Sequence, residues 1–579
     1  MQRPPVGKLF AAGLTILIYF MFLAGGGLRA TFSGDDLTNI AFLHGYGRVT
    51  LGAMLVQALS VFTPEYRPVG GLYYRTLFAI FGLHPAPFRI AFFTLLIVNM
   101  MLAALWYRRL SSSPLTIAAS VLLFSFQPAL AELYYNDGTV YDVLCLLFVL
   151  LLLGRYSRLR QAHRLVEGND LLLILALYGA ALGSKEMAIS VPAVLVLYEV
   201  IFHPGMRNLR ARLWPISLLA MMTAVCMAVK ILIPNQLTIN PAYTPHYQPG
   251  FIASSYLHYY RLLFLNENLS AGLLTGGLIL ALLAAIILRN RLMLFGILFA
   301  NLTLLTVCTI LPRGGFVWYM PLLGYALYGG EVVSILSQRL TTWLEARAGA
   351  ELWGMPVRSL TQSIVFGTLV IVSAALQSRH SQNLDAPYLP EPRSLNVMLT
   401  AAKTAAPSLS HGSRVLIESD AYPAVWWAPL FLLRLGYQDP TIWVERVSHL
   451  GDRYDPNDVS LYALRMRWDG SRYRVLTQPQ ASGPPLVFSI LPREVRGGQT
   501  TRLQLPVAFA GCAIDVAYRM PENNLMRGGV WLRWTELDAA GTGLASVNVD
   551  AERGLVVIDR VRACGRAWMP SQESFVVVP

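Results

Sequence analysis

Charged side chains are scarce in this sequence. Only 14% of its 579 residues are Asp, Glu, Lys or Arg, while 55% are hydrophobic and the mean hydropathy is +0.48. Soluble domains carry about 25% charged residues, so the shift excludes one large water-soluble core and requires many apolar spans. Cysteine is also sparse, at five residues. Cys145, Cys226 and Cys308 fall in apolar runs and read as packing residues. Cys512 and Cys564 fall in the tail, and no spacing matches a zinc site or a redox pair. No small-residue cleavage motif follows the first apolar run, 9–28, which is long enough to span. Internal repeats are absent, and so is any module of interleaved basic and aromatic residues. The net charge of +13 therefore does not point to nucleic acid; the Lys and Arg lie instead in short loops between apolar runs.

Those runs recur at about 9–30, 87–107, 114–133, 140–154, 171–183, 187–202, 213–233, 270–288, 292–311, 317–336 and 361–376. They predict a polytopic α-helical membrane protein of about 11 transmembrane helices, some short enough to tilt or pair. Arg108-Arg109, the run Arg155 to Arg164, Arg207 to Arg212, Arg289 and Arg291, and Arg339 to Arg358 fall on one side with Arg3 and Lys8. By the positive-inside rule that side is cytoplasmic. The loop at Asp35-Asp36, the loop 235–268 and the tail after residue 377 then lie outside. The expected domains are a membrane domain over 1–376, an extracytoplasmic α/β segment over 377–484 and an Ig-like β-sandwich over 485–579.

Inside the tail, helical patterns at 394–406 and 423–436 alternate with strand-like runs at 414–418 and 441–447. Residues 462–476 alternate on both sides of Asp469-Gly470, a strong hairpin signal. Pro484-Pro485 marks a boundary, after which short alternating segments recur. An outer tail lets a Cys512–Cys564 disulfide persist.

Several polar residues need a reason where they stand. Ser33-Gly-Asp-Asp-Leu-Thr38 follows the first span; its two carboxylates suit a general base or a divalent metal such as Mg or Mn, and equally a capped, solvated turn. Tyr66-Arg67-Pro68, followed by Tyr73-Tyr74-Arg75, sets cations against aromatics, as a phosphate or sugar site would and as an interfacial aromatic belt also would. Glu132, Tyr134, Tyr135, Asp137 and Asp142 cluster where the third and fourth predicted spans meet the outer surface, as merely wet turn residues also would, and Glu132 and Asp142 stand toward apolar runs. Gly183-Ser-Lys-Glu-Met187 places Lys185 and Glu186 between apolar runs with almost no loop. Lys185 there suits a phosphate as a point charge; the plain alternative is a self-neutralising Lys185–Glu186 pair.

The order of these boxes, closed by Trp318-Tyr-Met-Pro321 opening a late span, resembles the GT-C superfamily of polyprenyl-phosphate-sugar-dependent glycosyltransferases. The resemblance covers about residues 9–336 and is greatest to the protein O-mannosyltransferase-like branch. It implies that Asp35 or Asp36 is the catalytic base, or orients the acceptor with a metal, and that Arg67 and Lys185 contact the donor phosphate. Tyr66, Glu132, Tyr135, Asp142, Glu186 and Arg313 are supporting candidates. The pattern departs from the family at Gln127-Pro128, where His-Pro is usual. It departs again at Gly138-Thr-Val-Tyr-Asp142, which lacks the expected arginine, and at Gly315-Phe316, where Glu-Arg is usual.

The sequence thus predicts an enzyme of a bacterial inner (plasma) membrane that transfers a sugar from a polyprenyl-phosphate donor to a protein or glycan acceptor on the outer face. A lipid-linked glycan ligase or polymerase would share the phosphate site. A transporter or flippase of lipid-linked sugars would place its charges near the bilayer midplane, whereas here they lie at the outer ends of the spans. A catalytically silent scaffold would not need the acidic pair and the basic boxes.

Overall fold

The computed structural model describes residues 6–43, 52–53, 55–56, 67–204, 209–233, 243–352, 355–381, 385–410, 413–422, 425, 427–439, 442–450 and 462–477, together with nine strands between 489 and 578. The chain divides into two compact units, one of residues 1–36 and 47–392, the other of 37–46 and 393–579.

The first unit is helical, and a helix meets each of the eleven apolar runs. The helices are α1 (Val6–Ala24), α2 (Pro68–Phe81), α3 (Pro85–Leu110), α4 (Pro114–Ser125), α5 (Val140–Gln161), α6 (Gly168–Ser184) and α7 (Val191–Phe202). They continue with α8 (Leu209–Leu232), α9 (Pro249–Phe264), α10 (Ala271–Ile287), α11 (Arg291–Leu305), α12 (Pro321–Ala348) and α13 (Val357–Ser381). Among the described residues five helices are long and apolar enough to cross a membrane alone, and one pair bent at a short break makes six if it is counted as one span. The unit is therefore a multi-pass membrane bundle with fewer full-length rods than the eleven runs suggest. Apolar side chains such as Phe22, Leu280 and Ile371 stay about 70% exposed, as a lipid-facing girdle requires.

The shortfall has local causes. Pro128 interrupts the run at 114–133, and the segments on either side meet at 44°. The run through 171–202 breaks at Lys185, whose backbone is extended; a 3-10 turn, Glu186–Ser190, follows before α7 starts with Pro192 in its first turn. Proline cannot donate within a helix but fits its first turn, so both breaks are written in the sequence.

Helix α5 joins two chemically different ends of the bundle. Asp142 stands near its start and Arg160 near its finish, about 27 Å apart along the axis by the helical rise. At the basic end, Glu199 of α7 accepts from Arg160 Nε (2.7 Å), Arg212 Nε (2.6 Å) and Tyr156 OH (2.9 Å). Gln161 donates to the Arg109 carbonyl beside them. Arg160 and Arg212, in the end turns of α5 and α8, thus tie helix ends together through Glu199. The opposite end gathers Asp142, Lys185, Glu186 and Arg67.

The second unit opens with α14 (Pro390–Ala405), which runs in from the first unit. Strands β1 (Arg414–Ser419), β2 (Trp443–Arg446), β3 (Leu464–Trp468) and β4 (Tyr473–Thr477) form one mixed sheet in the order β2-β1-β3-β4, with α15 (Ala428–Tyr437) between β1 and β2. β1 pairs parallel with β2 and β3, and β4 closes antiparallel on β3. The hairpin falls where Asp469-Gly470 predicted it, as a four-residue loop. Asp469 Oδ1 caps the Ser471 and Arg472 amides, and Gly470 takes the positive φ. The strands from Ser489 onward form two further sheets, one containing a parallel pair between 494–496 and 576–578. Cys512 and Cys564 lie outside the described residues, as does Tyr66.

Candidate functional site

The acidic pair divides by exposure. On the short turn Gly34–Thr38, Asp36 points inward and is 1% exposed. Its carboxylate accepts from Ser33 N and Ser33 Oγ (both 2.9 Å) and from Tyr74 OH (3.0 Å). Burial pushes its pKa up, and the nearby Asp137 adds to this. Asp35 is exposed to solvent. Burial nevertheless raises its carboxyl above the usual range, against the Asn136 amide (3.4 Å) and the charge of Arg313. Solvent contact combined with dense surroundings describes a side chain that lines a recess.

The two basic candidates are each matched with a carboxylate. The Lys185–Glu186 pair allowed by the sequence does not form; the partners are crossed. Lys185 Nζ meets Asp142 Oδ2 at 2.8 Å, and Arg67 Nη2 meets Glu186 Oε2 at 2.7 Å. The extended backbone at Lys185 sends neighbouring side chains opposite ways. Burial opposes ionisation of Glu186, but Arg67, with Lys230 and Lys185 behind it, outweighs that and holds the carboxyl down at about 2. Arg67 precedes Pro68 at the start of α2 with φ +48°, a conformation rare for a residue with a side chain. Its guanidinium lies 5.1 Å from the Tyr141 ring centroid and 5.8 Å from that of Tyr243.

Arg313 is placed differently. It makes no ion pair among the described residues, and its buried Nη2 has no hydrogen-bond partner. Its guanidinium stacks 4.2 Å from the centroid of Tyr243, the same ring that Arg67 approaches. Gly314 and Gly315 bring it there. A Cβ on Gly315 would collide with the Ala129 carbonyl, so only glycine there lets this turn lie against residue 129, while one on Gly314 would have to displace the Glu132 carboxylate. Phe316 then carries its ring to 5.0 Å from Lys185 Nζ. Glu132 lies within electrostatic reach of Asp35, Asp142, Lys185 and Arg313. Tyr135 stacks on Tyr388 at 5.7 Å and 22°.

One end of the bundle thus brings together Asp35, Glu132, Asp142, Lys185, Arg67, Glu186 and Arg313. Asp142 Oδ1 is also buried without a partner there. Buried polar groups are ordinarily satisfied, so the unpaired Arg313 and Asp142 atoms mark where a polar ligand would complete the site. Among the described residues no group of three or more His, Cys, Asp or Glu side chains is placed to hold a metal ion. Asp36 is turned inward to Ser33 and Tyr74, whereas Asp35 is turned to solvent.

Sequence reasoning passed over Arg89, Tyr243 and Glu391. Arg89, five residues into the apolar helix α3, is buried and donates to the Gly27 carbonyl (2.9 Å), the Tyr134 carbonyl and Asp137. A lone charge in an apolar run was the available signal. Tyr243 and Glu391 carry no local signal.

No protein-family model and no curated protein matches the chain by sequence. Solved structures that resemble it include ArnT from Cupriavidus metallidurans in the apo state, at 12% identity and TM-score 0.42, covering 80% of this chain and 93% of that one. The same protein bound to undecaprenyl phosphate matches at 12% identity and TM-score 0.44, covering 83% and 100%.

Proposed function

We propose that the chain is a membrane glycosyltransferase that takes a sugar from a polyprenyl-phosphate donor. The observation that carries this reading is the solvent-accessible carboxylate of Asp35 beside an uncommitted guanidinium, Arg313, at one end of an apolar bundle. A lipid-borne phosphate cannot leave the bilayer, so a site that uses it must lie at the end of the spans. An Asp35 oxygen takes the proton of an acceptor hydroxyl, whose oxygen attacks the anomeric carbon. The bond from that carbon to the phosphate oxygen breaks, and the phosphate departs with the electron pair. Arg313 meets the growing charge directly. Lys185 and Arg67 contribute from their ion pairs, so they tune the field more than they grip the phosphate. Transfer of a hexose in the manner of the O-mannosyltransferase-like branch rests on the order of the sequence boxes, and the placement of the site on the outer face rests on the loop arginines and the positive-inside rule.

The test is binding of undecaprenyl phosphate to the full chain in nanodiscs. Arg313→Gln is expected to weaken it by about tenfold or more, the loss of a hydrogen bond to a charged group. Arg158→Gln, at the exposed opposite end of α5, should leave it unchanged. No binding by the unmodified protein, or equal affinity after Arg313→Gln, would remove the lipid-phosphate reading.

A further inference from the structure

The acidic turn is held from a distant part of the chain. Glu391 Oε1 accepts a hydrogen bond from Gly34 N at 2.9 Å across 357 residues of sequence. Three residues earlier Tyr388 stacks on Tyr135, which adjoins Asn136, the amide partner of Asp35. Leu389, between them, is fully buried. One short stretch beyond α13 therefore touches the chain on both sides of Asp35. It grips the backbone immediately before Asp35 and the turn that carries Asn136.

We propose that Glu391 is a positioning residue for the acidic turn, fixing the backbone that sets the reach of Asp35. The contact is not a default one. Burial raises the Glu391 carboxyl, and the proximity of Asp35 raises it further, so placing this acid here works against its ionisation. A neutral acceptor would satisfy Gly34 N without that penalty. A bonded Gly34 amide keeps the Asp35 carboxylate in a narrow range of positions, which proton abstraction requires. The distant origin of Glu391 means that the turn takes this position only when the segment after the last apolar helix is seated.

The kinetic consequence rests on the proposed transfer reaction; the positioning itself does not. Hydrogen–deuterium exchange of the full chain in nanodiscs separates the two. Glu391→Met keeps the length of the side chain and removes the acceptor, so exchange in the peptide holding Gly34–Asp36 should rise about tenfold, the loss of one hydrogen bond. Glu391→Gln keeps an acceptor oxygen and should retain protection. Affinity for undecaprenyl phosphate should be unchanged in both variants, while the kcat of transfer falls in Glu391→Met and recovers in Glu391→Gln. Equal exchange in all three proteins would overturn the positioning role. So would an equal loss of lipid-phosphate affinity and exchange protection across the whole bundle in Glu391→Met, which would show general damage. Altered exchange in a protein whose unmodified form neither binds the lipid phosphate nor transfers sugar would leave the positioning standing and overturn the transferase reading.

Discussion

Asp35→Asn is expected to lower sugar transfer by about 10²–10⁴-fold, the usual contribution of a general base, with little change in thermal stability. Among the described residues Asp35 is solvent-accessible and accepts only one long hydrogen bond, from Asn136, so the amide fits without loss of packing. Asp36 should behave in the opposite way. Asp36→Asn with its oxygen toward Ser33 still accepts from Ser33 N and Oγ, and the rotatable Tyr74 hydroxyl can accept from the new amide, so stability should hardly move. Asp36→Ala strands the buried donors and should cost about 1–3 kcal/mol. Transfer assays on purified protein together with unfolding in detergent separate these outcomes. Equal loss of transfer in Asp35→Asn and Asp36→Asn would reject the division of roles. The pH profile adds a check on sign. The Asp35 carboxyl lies above the usual range, so the rate should fall as pH drops through that raised pKa, at a higher pH than the ordinary Asp value of about 3.9. Arg313 holds the carboxyl down, so Arg313→Gln should move this acid limb to still higher pH.

The second large effect concerns the crossed ion pairs. Glu186→Met leaves Arg67, whose side chain is 4% exposed, without its carboxylate. Stranding a buried charge in this way costs about 3–5 kcal/mol. Arg67→Met strands Glu186 in turn, although that carboxylate is 23% exposed and some of the loss is recovered by water. The double substitution should be less damaging than either single one, because both charges leave together. Unfolding measurements on the two single variants and the double variant settle the matter. Losses that simply add would mean that the two side chains are not coupled.

The ease of reading this chain followed the range of the forces involved. Local rules placed α3, α5, α8 and α13, because apolar length alone determines such helices. They also placed the break at Lys185-Glu186 and the Asp469-Gly470 hairpin, but not the bend at Pro128 inside the run 114–133. The site was only half legible. Asp35, Glu132, Lys185 and Arg313 are conspicuous as polar residues beside apolar runs, and the bundle does bring them together. Their pairing was not legible, since neighbours in sequence such as Lys185 and Glu186 face different partners once the backbone between two helices is extended. Tyr243, which stacks with both Arg67 and Arg313, and Glu391, which reaches Gly34, owe their positions to tertiary contacts. Nothing in their immediate sequence distinguishes them from other loop residues.

The break at Lys185 also bears on the surrounding membrane. Helices α6 and α7 have 17 and 12 residues, about 26 and 18 Å by the helical rise, against a hydrocarbon layer of about 30 Å. Beside α3, with 26 residues, the bundle presents an uneven apolar height to lipid. The bilayer must therefore thin along the α6–α7 flank or carry a mismatch there. Transfer rates measured in bilayers of graded acyl length should peak in thinner ones, and a flat response would show that the flank is shielded from lipid. On this view membrane thickness acts on the enzyme much as a substrate concentration would, because a thinned annulus brings lipid headgroups level with the end of α6.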